Sequence, residues 1–122
     1  MSEAFGDYLR LDRDGAVITV TIDRGDGLNA LSTQLMTDLV ALAEMLVADT
    51  TSTVIILQGA GVFSAGADLK DPARAEMAAR PLIERRQALK LGPDMCAAWE
   101  RLEQITIVAI EGFCIGGGVA LA

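Results

Sequence analysis

Histidine is absent from this 122-residue chain, and that single absence removes two large classes of chemistry. Neither a Ser-His-Asp relay nor a histidine-ligated metal can be assembled from these residues alone. Cysteine is scarce: Cys96 and Cys114 are the two present. They have no metal-ligand spacing and no evident pairing, and read as reduced thiols of a cytoplasmic protein. Positive charge is also in short supply. Ten Lys and Arg stand against 17 Asp and Glu, a formal net charge of -7, with no basic cluster to grip nucleic acid or an anionic membrane. No apolar run reaches transmembrane length. The start, Met1-Ser-Glu-Ala-Phe5, has neither the basic leader nor the apolar stretch of a secretory signal.

What the chain has in plenty is apolar residues, at 52%, and glycine, at 12. The first is enough for the core of one small domain. The second is concentrated. Ile105-Thr-Ile-Val-Ala-Ile110 reads as a buried strand. It is followed by Gly112 and by Gly116-Gly-Gly118, after which Val119-Ala-Leu-Ala122 opens an apolar helix. An earlier stretch has the same design. Thr53-Val-Ile-Ile-Leu-Gln58 is a strand, residues 59–66 are a glycine-rich turn, and Ala67-Asp-Leu-Lys70 begins a polar-capped helix. A strand that feeds a helix through glycine aims free peptide N–H groups at whatever approaches, with the positive end of the helix dipole behind them. If the two strands are neighbours in one sheet, both loops emerge at the same edge. One N–H from each can then converge on a single oxygen, the arrangement of an oxyanion hole.

The remaining elements frame these two units. Residues 5–12 and 17–22 read as a hairpin about Asp14-Gly15, residues 23–27 as a loop, and Ser32 as the N-cap of a helix over 33–48. Leu35, Leu39, Leu42 and Leu46 give that helix one apolar stripe. Residues 71–93 read as two short helices broken at Pro81, and a clearer helix runs over 94–104. Arg85, Arg86 and Lys90 read as a solvated face, with coenzyme A phosphates as the functional alternative. Met77, Met95 and Trp99 read as core, with an acyl pocket as the alternative. Asp68 reads as a helix cap and Glu111 as a solvated strand end. The apolar helix at 119–122 implies that the chain is the N-terminal part of a longer protein.

Several specific motifs fail. A dinucleotide turn opened by Gly116 would need glycine where Leu121 stands, and no Gly-Lys-Ser/Thr phosphate loop occurs. Gly61-Val-Phe-Ser-Ala-Gly66 is one residue too long for a nucleophile elbow, and Ser64 has no histidine to activate it.

Phe63-Ser-Ala-Gly-Ala-Asp-Leu-Lys70 and Ile110-Glu-Gly-Phe-Cys-Ile-Gly-Gly-Gly118 closely resemble the two signature stretches of the crotonase superfamily, the enoyl-CoA hydratase/isomerase proteins. Asp23-Arg24 through Asn29-Ala-Leu-Ser32 resembles a third, with Gly25 where proline is usual. The resemblance implies an α/β fold, the N-terminal portion of a spiral of ββα units whose C-terminal helical, trimer-forming region lies outside this chain. It implies an acyl-CoA thioester as substrate, with no cofactor, since coenzyme A is part of the substrate. It assigns the N–H groups of Ala67 and Gly117 to the oxyanion hole. Arg24, Gly27, Leu28, Ala65, Gly66, Asp68 and Gly116 fall to substrate and coenzyme A binding. It implies a homotrimer or dimer of trimers. Ala120 stands where the two-glutamate hydratases carry the first catalytic glutamate. Reversible hydration of a 2-enoyl-CoA is the simplest expected reaction. An isomerase or decarboxylase using one downstream base, or a silent acyl-CoA binder, are the alternatives.

Overall fold

A computed structural model describes residues 2–122. The N-terminal hairpin has three strands rather than two: β1 (Ser2–Phe5), β2 (Leu9–Asp14) and β3 (Val17–Ile22). The expected strand over 5–12 is broken because Gly6 takes φ +63° and reverses the chain before Leu9, a conformation that costs glycine little. Two further strands, β4 (Val54–Gly59) and β5 (Ile105–Ala109), complete one sheet in the order β1-β2-β3-β4-β5. The first three strands are antiparallel, while β4 runs parallel to β3 and β5 parallel to β4. The two glycine loops therefore leave adjacent parallel strands at the same edge, as expected.

Alternation along β2, β3 and β4 turns Leu9, Leu11, Ile18, Val20, Ile22, Ile55 and Leu57 to one buried face. That face is covered by α1 (Thr33–Val47) and α4 (Leu91–Glu100). Ser32 caps α1, its Oγ accepting from the Leu35 N–H at 3.1 Å. The four expected leucines of α1 are all fully buried. Trp99 on α4 belongs to this core, its indole N–H donating to the Leu39 carbonyl at 3.0 Å.

Between β4 and α4 lie α2 (Pro72–Ala78) and α3 (Leu82–Ala88), the two short helices expected about Pro81. Neither buries a residue. The helix expected from Ala67 does not form there. It starts at Pro72, with Asp71 as its N-cap. Asp68 caps no helix: its Oδ1 accepts from the Lys70 N–H in a turn. The helix expected over 94–104 is shifted to 91–100, since Pro93 is tolerated in a first turn. Gln104 serves α1 instead, its Nε2 donating to the carbonyls of Leu46 at 2.8 Å and Asp49 at 3.2 Å. The last helix, α5 (Gly117–Leu121), begins two residues before the expected Val119. Among the described residues, no helix is long and apolar enough to cross a membrane.

Leu39 sits where α1, α4 and the sheet meet. Leu39→Ala should lower the unfolding free energy by about 2–5 kcal/mol, measured by urea denaturation. A loss under about 1 kcal/mol would show that the α1–α4 contact is not part of the core.

Candidate active site

The chain repeats one unit three times. A sheet strand leads into a short extended segment and then into a helix: β3, residues 28–31 and α1; β4, residues 63–67 and α2; β5, residues 113–115 and α5. The second and third were legible as glycine loops. The first was read as a loop and as a third stretch resembling the family, not as a unit of the same design, because it has no glycine run: Gly25, Gly27 and Asn29 take its positive-φ positions separately.

The three extended segments lie side by side as a second small layer. Leu31 bridges Ala67 and Ser64 bridges Cys114, both parallel. The Leu31 N–H donates to the Gly66 carbonyl at 2.7 Å, and the Asp68 N–H donates to the Leu31 carbonyl at 3.0 Å. On the other side, the Ser64 N–H donates to the Phe113 carbonyl at 2.9 Å, and the Ile115 N–H donates to the Ser64 carbonyl at 3.2 Å.

This pairing fixes where Ala67 points. Its neighbours 66 and 68 spend their carbonyl and N–H on Leu31, so in an extended segment the N–H of 67 faces away from Leu31. There it meets the second loop. A Cβ built on Gly117 would lie 4.0 Å from the Ala67 nitrogen, and one built on Gly66 would lie 3.6 Å from the Gly117 nitrogen. Gly117 is the first residue of α5, so its N–H has no helical partner. Among the described residues, neither the Ala67 nor the Gly117 N–H has an acceptor. Two unspent donors from separate loops thus stand together at the sheet edge.

Glycine makes this closeness possible at two points. A Cβ on Gly66, which has φ +94°, would sit 2.7 Å from the Ile115 carbonyl oxygen. A Cβ on Gly118 would sit 3.0 Å from the Ser64 carbonyl oxygen. Either would push the loops apart.

Side chains missed as site residues hold the loops. Asn29 is buried, with φ +47°. Its Nδ2 donates to the carbonyls of Ile22 at 3.0 Å and Val62 at 2.8 Å, and its Oδ1 accepts from the Arg24 N–H at 3.0 Å. It therefore ties the end of β3 to the first glycine loop. Ser64 is fully buried, its hydroxyl donating to the Asn29 carbonyl at 2.8 Å and accepting from the Gly66 N–H at 3.1 Å. It is a brace, not a nucleophile. A small polar residue inside an apolar loop was the only signal for it.

Arg24 is part-buried and spent on protein. One guanidinium nitrogen donates to the Ala30 carbonyl at 2.8 Å and to Asp68 at 2.9 Å, and the group lies 5.3 Å from the centroid of the Tyr8 ring. Leu28 and Gly27 are exposed beside it, and the Ala65 N–H donates to the Leu28 carbonyl at 2.8 Å. Gly116 directly precedes the Gly117 donor. Asp71 joins the start of α1 to the start of α2, accepting from the N–H groups of Thr33 at 2.7 Å and Ala73 at 3.1 Å. Burial pushes its carboxyl up. The donors of Thr33 and Ala73, with the Arg24 charge, outweigh this and hold it below the usual aspartate range.

A cleft of about 870 Å³ opens at the two donors. Ala67, Gly117 and Ala120 line it at one side, Leu31 and Met36 beside them, and α2, α3 and the start of α4 form the opposite wall. Met77 and Met95 line it; Trp99 does not. Of the nine expected site residues, Ala67 and Gly117 line the cleft; the other seven lie in the loops outside its lining.

The profile of the family described as enoyl-CoA hydratase/isomerase matches residues 12–122. The short-chain-enoyl-CoA hydratase of Clostridium acetobutylicum is 35% identical over 114 residues, 92% of this chain and 42% of that protein. The probable enoyl-CoA hydratase echA8 of Mycobacterium tuberculosis is 35% identical over 116 residues, covering 92% of this chain and 41% of its own length. Among solved structures, an enoyl-CoA hydratase/carnithine racemase from Magnetospirillum magneticum superposes with a TM-score of 0.84 at 31% identity, over 99% of this chain and 44% of that one. The chain thus spans less than half the length of the relatives it matches.

Two outcomes follow from the loop braces. Asn29→Ala strands the Val62 carbonyl and the Arg24 N–H, leaves the Ile22 carbonyl with the Ala60 N–H alone, and forces alanine into positive φ. It should cost about 3 kcal/mol, and Asn29→Gly should recover the backbone part, both read by urea denaturation; equal losses would remove the strain argument. Asp71, with a depressed folded pKa, contributes stability that is complete above about pH 4 and is lost as pH falls through its folded value. The acid limb of the stability–pH curve should be shallower in Asp71→Asn. An unchanged limb would show that the carboxyl is not stabilised by folding.

Proposed function

The chain belongs to the enoyl-CoA hydratase/isomerase family, and from that premise we propose that it binds an acyl-CoA thioester and stabilises the derived enolate with the Ala67 and Gly117 N–H groups. The observation that carries this reading is the pair of unspent backbone donors at the mouth of an apolar cleft. Donation to the thioester carbonyl acidifies the α-carbon and makes the β-carbon of an enoyl chain electrophilic. Charge then develops on the gripped oxygen, where preorganised donors act most strongly; one such donor is worth about 2.7–4 kcal/mol in the best-studied case.

In this reading coenzyme A lies along the loops at Gly27, Leu28, Ala65, Gly66 and Gly116, and no separate cofactor takes part. Arg24 and Asp68 shape that wall through their mutual ion pair at 2.9 Å rather than by meeting a phosphate. The reaction is most simply the reversible hydration of a 2-enoyl-CoA. Hydration needs a group to activate water and another to protonate the α-carbon. Ala120 stands on the cleft wall where the resemblance implies the first glutamate, and no Asp or Glu lines the cleft. That observation favours a second reading, double-bond isomerisation or decarboxylation through the same enolate with one carboxylate from beyond these residues.

The unit is proposed as the N-terminal part of a crotonase-like domain within a homotrimer or dimer of trimers. Supporting this is an apolar face left exposed beside β5, including Ile105, Ile107, Phe113, Ile115 and Val119.

The test is turnover of crotonyl-CoA by the full-length protein and by Gly117→Pro. Proline is tolerated at a first helical position, so this variant deletes one donor while α5 keeps its start. A loss of at least about a hundredfold in kcat with an unchanged circular dichroism spectrum is expected. Retained activity in the folded variant would sink the Gly117 assignment.

A further inference from the structure

The cleft and the chain disagree in charge. The chain carries a formal -7, yet the cleft is lined by Arg74, Arg85 and Arg86 and by no Asp or Glu. Its far wall is made by α2, α3 and α4, which carry Glu76, Glu84, Asp94 and Glu100. None of the four lines the cleft. Arg80 is neutralised by Glu84 at 2.8 Å. Among the described residues, Arg74, Arg85 and Arg86 have no carboxylate partner. A favourable place in the last turn of α3 explains a cation at 85 or 86. It explains neither Arg74 on α2 nor the missing acids.

The rest of the lining is aliphatic and thioether, with Leu31, Met36, Met77 and Met95 among it. A ligand complementary to such a cleft has an apolar body and an anionic group. An acyl-CoA has two candidates for that group: the coenzyme A phosphates and the far end of the acyl chain. The loop positions proposed to meet coenzyme A, among them Leu28 and Ala65, lie outside the cleft lining, whereas the two donors lie within it. The thioester therefore marks the border, and the cleft lies on its acyl side.

Resting on the acyl-CoA reading above, we propose that the acyl group of this protein's substrate is a linear apolar chain ending in a carboxylate, received by Arg85 and Arg86 with Arg74 beside them. The aliphatic wall takes the methylenes. The guanidinium forks, planar and permanently charged, suit a carboxylate. Their exposure keeps each contact modest, so the arginines select between acyl chains and do not supply the bulk of the affinity.

The experiment is isothermal titration of the full-length protein with octanoyl-CoA, with the mono-CoA thioester of suberic acid and with free coenzyme A. The saturated thioesters have no double bond to hydrate, so binding is read without turnover. The suberyl thioester should bind about tenfold more tightly than the octanoyl one, and the advantage should shrink as salt is raised. In the double variant Arg85→Gln, Arg86→Gln, the advantage should disappear. Octanoyl-CoA binding as tightly as the suberyl thioester would overturn the proposal. So would an advantage that survives the double variant, or a double variant that weakens free coenzyme A and both thioesters alike, which would assign the arginines to phosphate. If neither thioester binds better than free coenzyme A, the acyl-CoA reading itself has failed, and the proposal with it.

Discussion

The parallel register of β5 on β4, with β4 in turn parallel to β3, is the constraint on which the rest of this structure depends. Parallel neighbours send their C-terminal ends to the same edge, and Gln58 pairs with Ala109, so the two glycine loops depart at almost the same level. Everything specific to the site is then local. The loops pair as a second short layer, the layer fixes the alternation of N–H directions, and alternation leaves the Ala67 donor facing Gly117. A slip of one residue in that layer would turn the donor toward Leu31 instead. The buried face of Ile18, Val20, Ile22, Ile55 and Leu57 holds the register of β3 on β4, because a slip of β3 would turn Thr19 and Thr21 toward the core.

An unpaired peptide N–H is normally a liability, and two side by side are more so. Here the cost is met by rigidity nearby. Asn29 satisfies carbonyls from two different segments, and Ser64 satisfies one carbonyl and one N–H. Arg24 and Asp68 close the outer side. The donors cannot relax toward an internal acceptor without breaking this set. The α2–α3 wall opposite has no buried residue and is tied at its start by Asp71, so the two sides of the cleft differ in how firmly they are held.

Much of the plan was legible from residue pattern. The stripe of α1 and its Ser32 cap, the β4 and β5 strands, the break at Pro81 and both glycine loops follow from period, capping and turn chemistry, although β5, read as buried, leaves Ile105 and Ile107 exposed. What was missed depended on partners distant in sequence. Gly6 splits the first strand, and a lone glycine in a mixed segment gives no direction. Asp68 sits where a cap would be expected, yet its partner Arg24 lies 44 residues away. Gln104 reads as a helix end until the exposed carbonyls of α1 are placed beside it. The first of the three repeats was hidden because its positive-φ residues, Gly25, Gly27 and Asn29, are scattered through a charged loop with no glycine run. The cleft and its acid-free lining have no sequence signature at all, since α2, α3 and α4 carry both signs of charge and only the packing decides which sign faces inward.

The two donors at the sheet edge belong to the main chain. Of the twenty side chains, only proline can delete such a donor outright; other substitutions reach it only by moving the backbone, as a side chain at Gly66 or Gly118 would. Position 120 on the cleft wall needs no such movement: there a single codon decides whether a carboxylate is present. A fold of this kind divides its chemistry between a portion written in geometry and a portion written in side chains. The second can be rewritten freely while the first endures, so descendants of one scaffold can change reaction without changing shape.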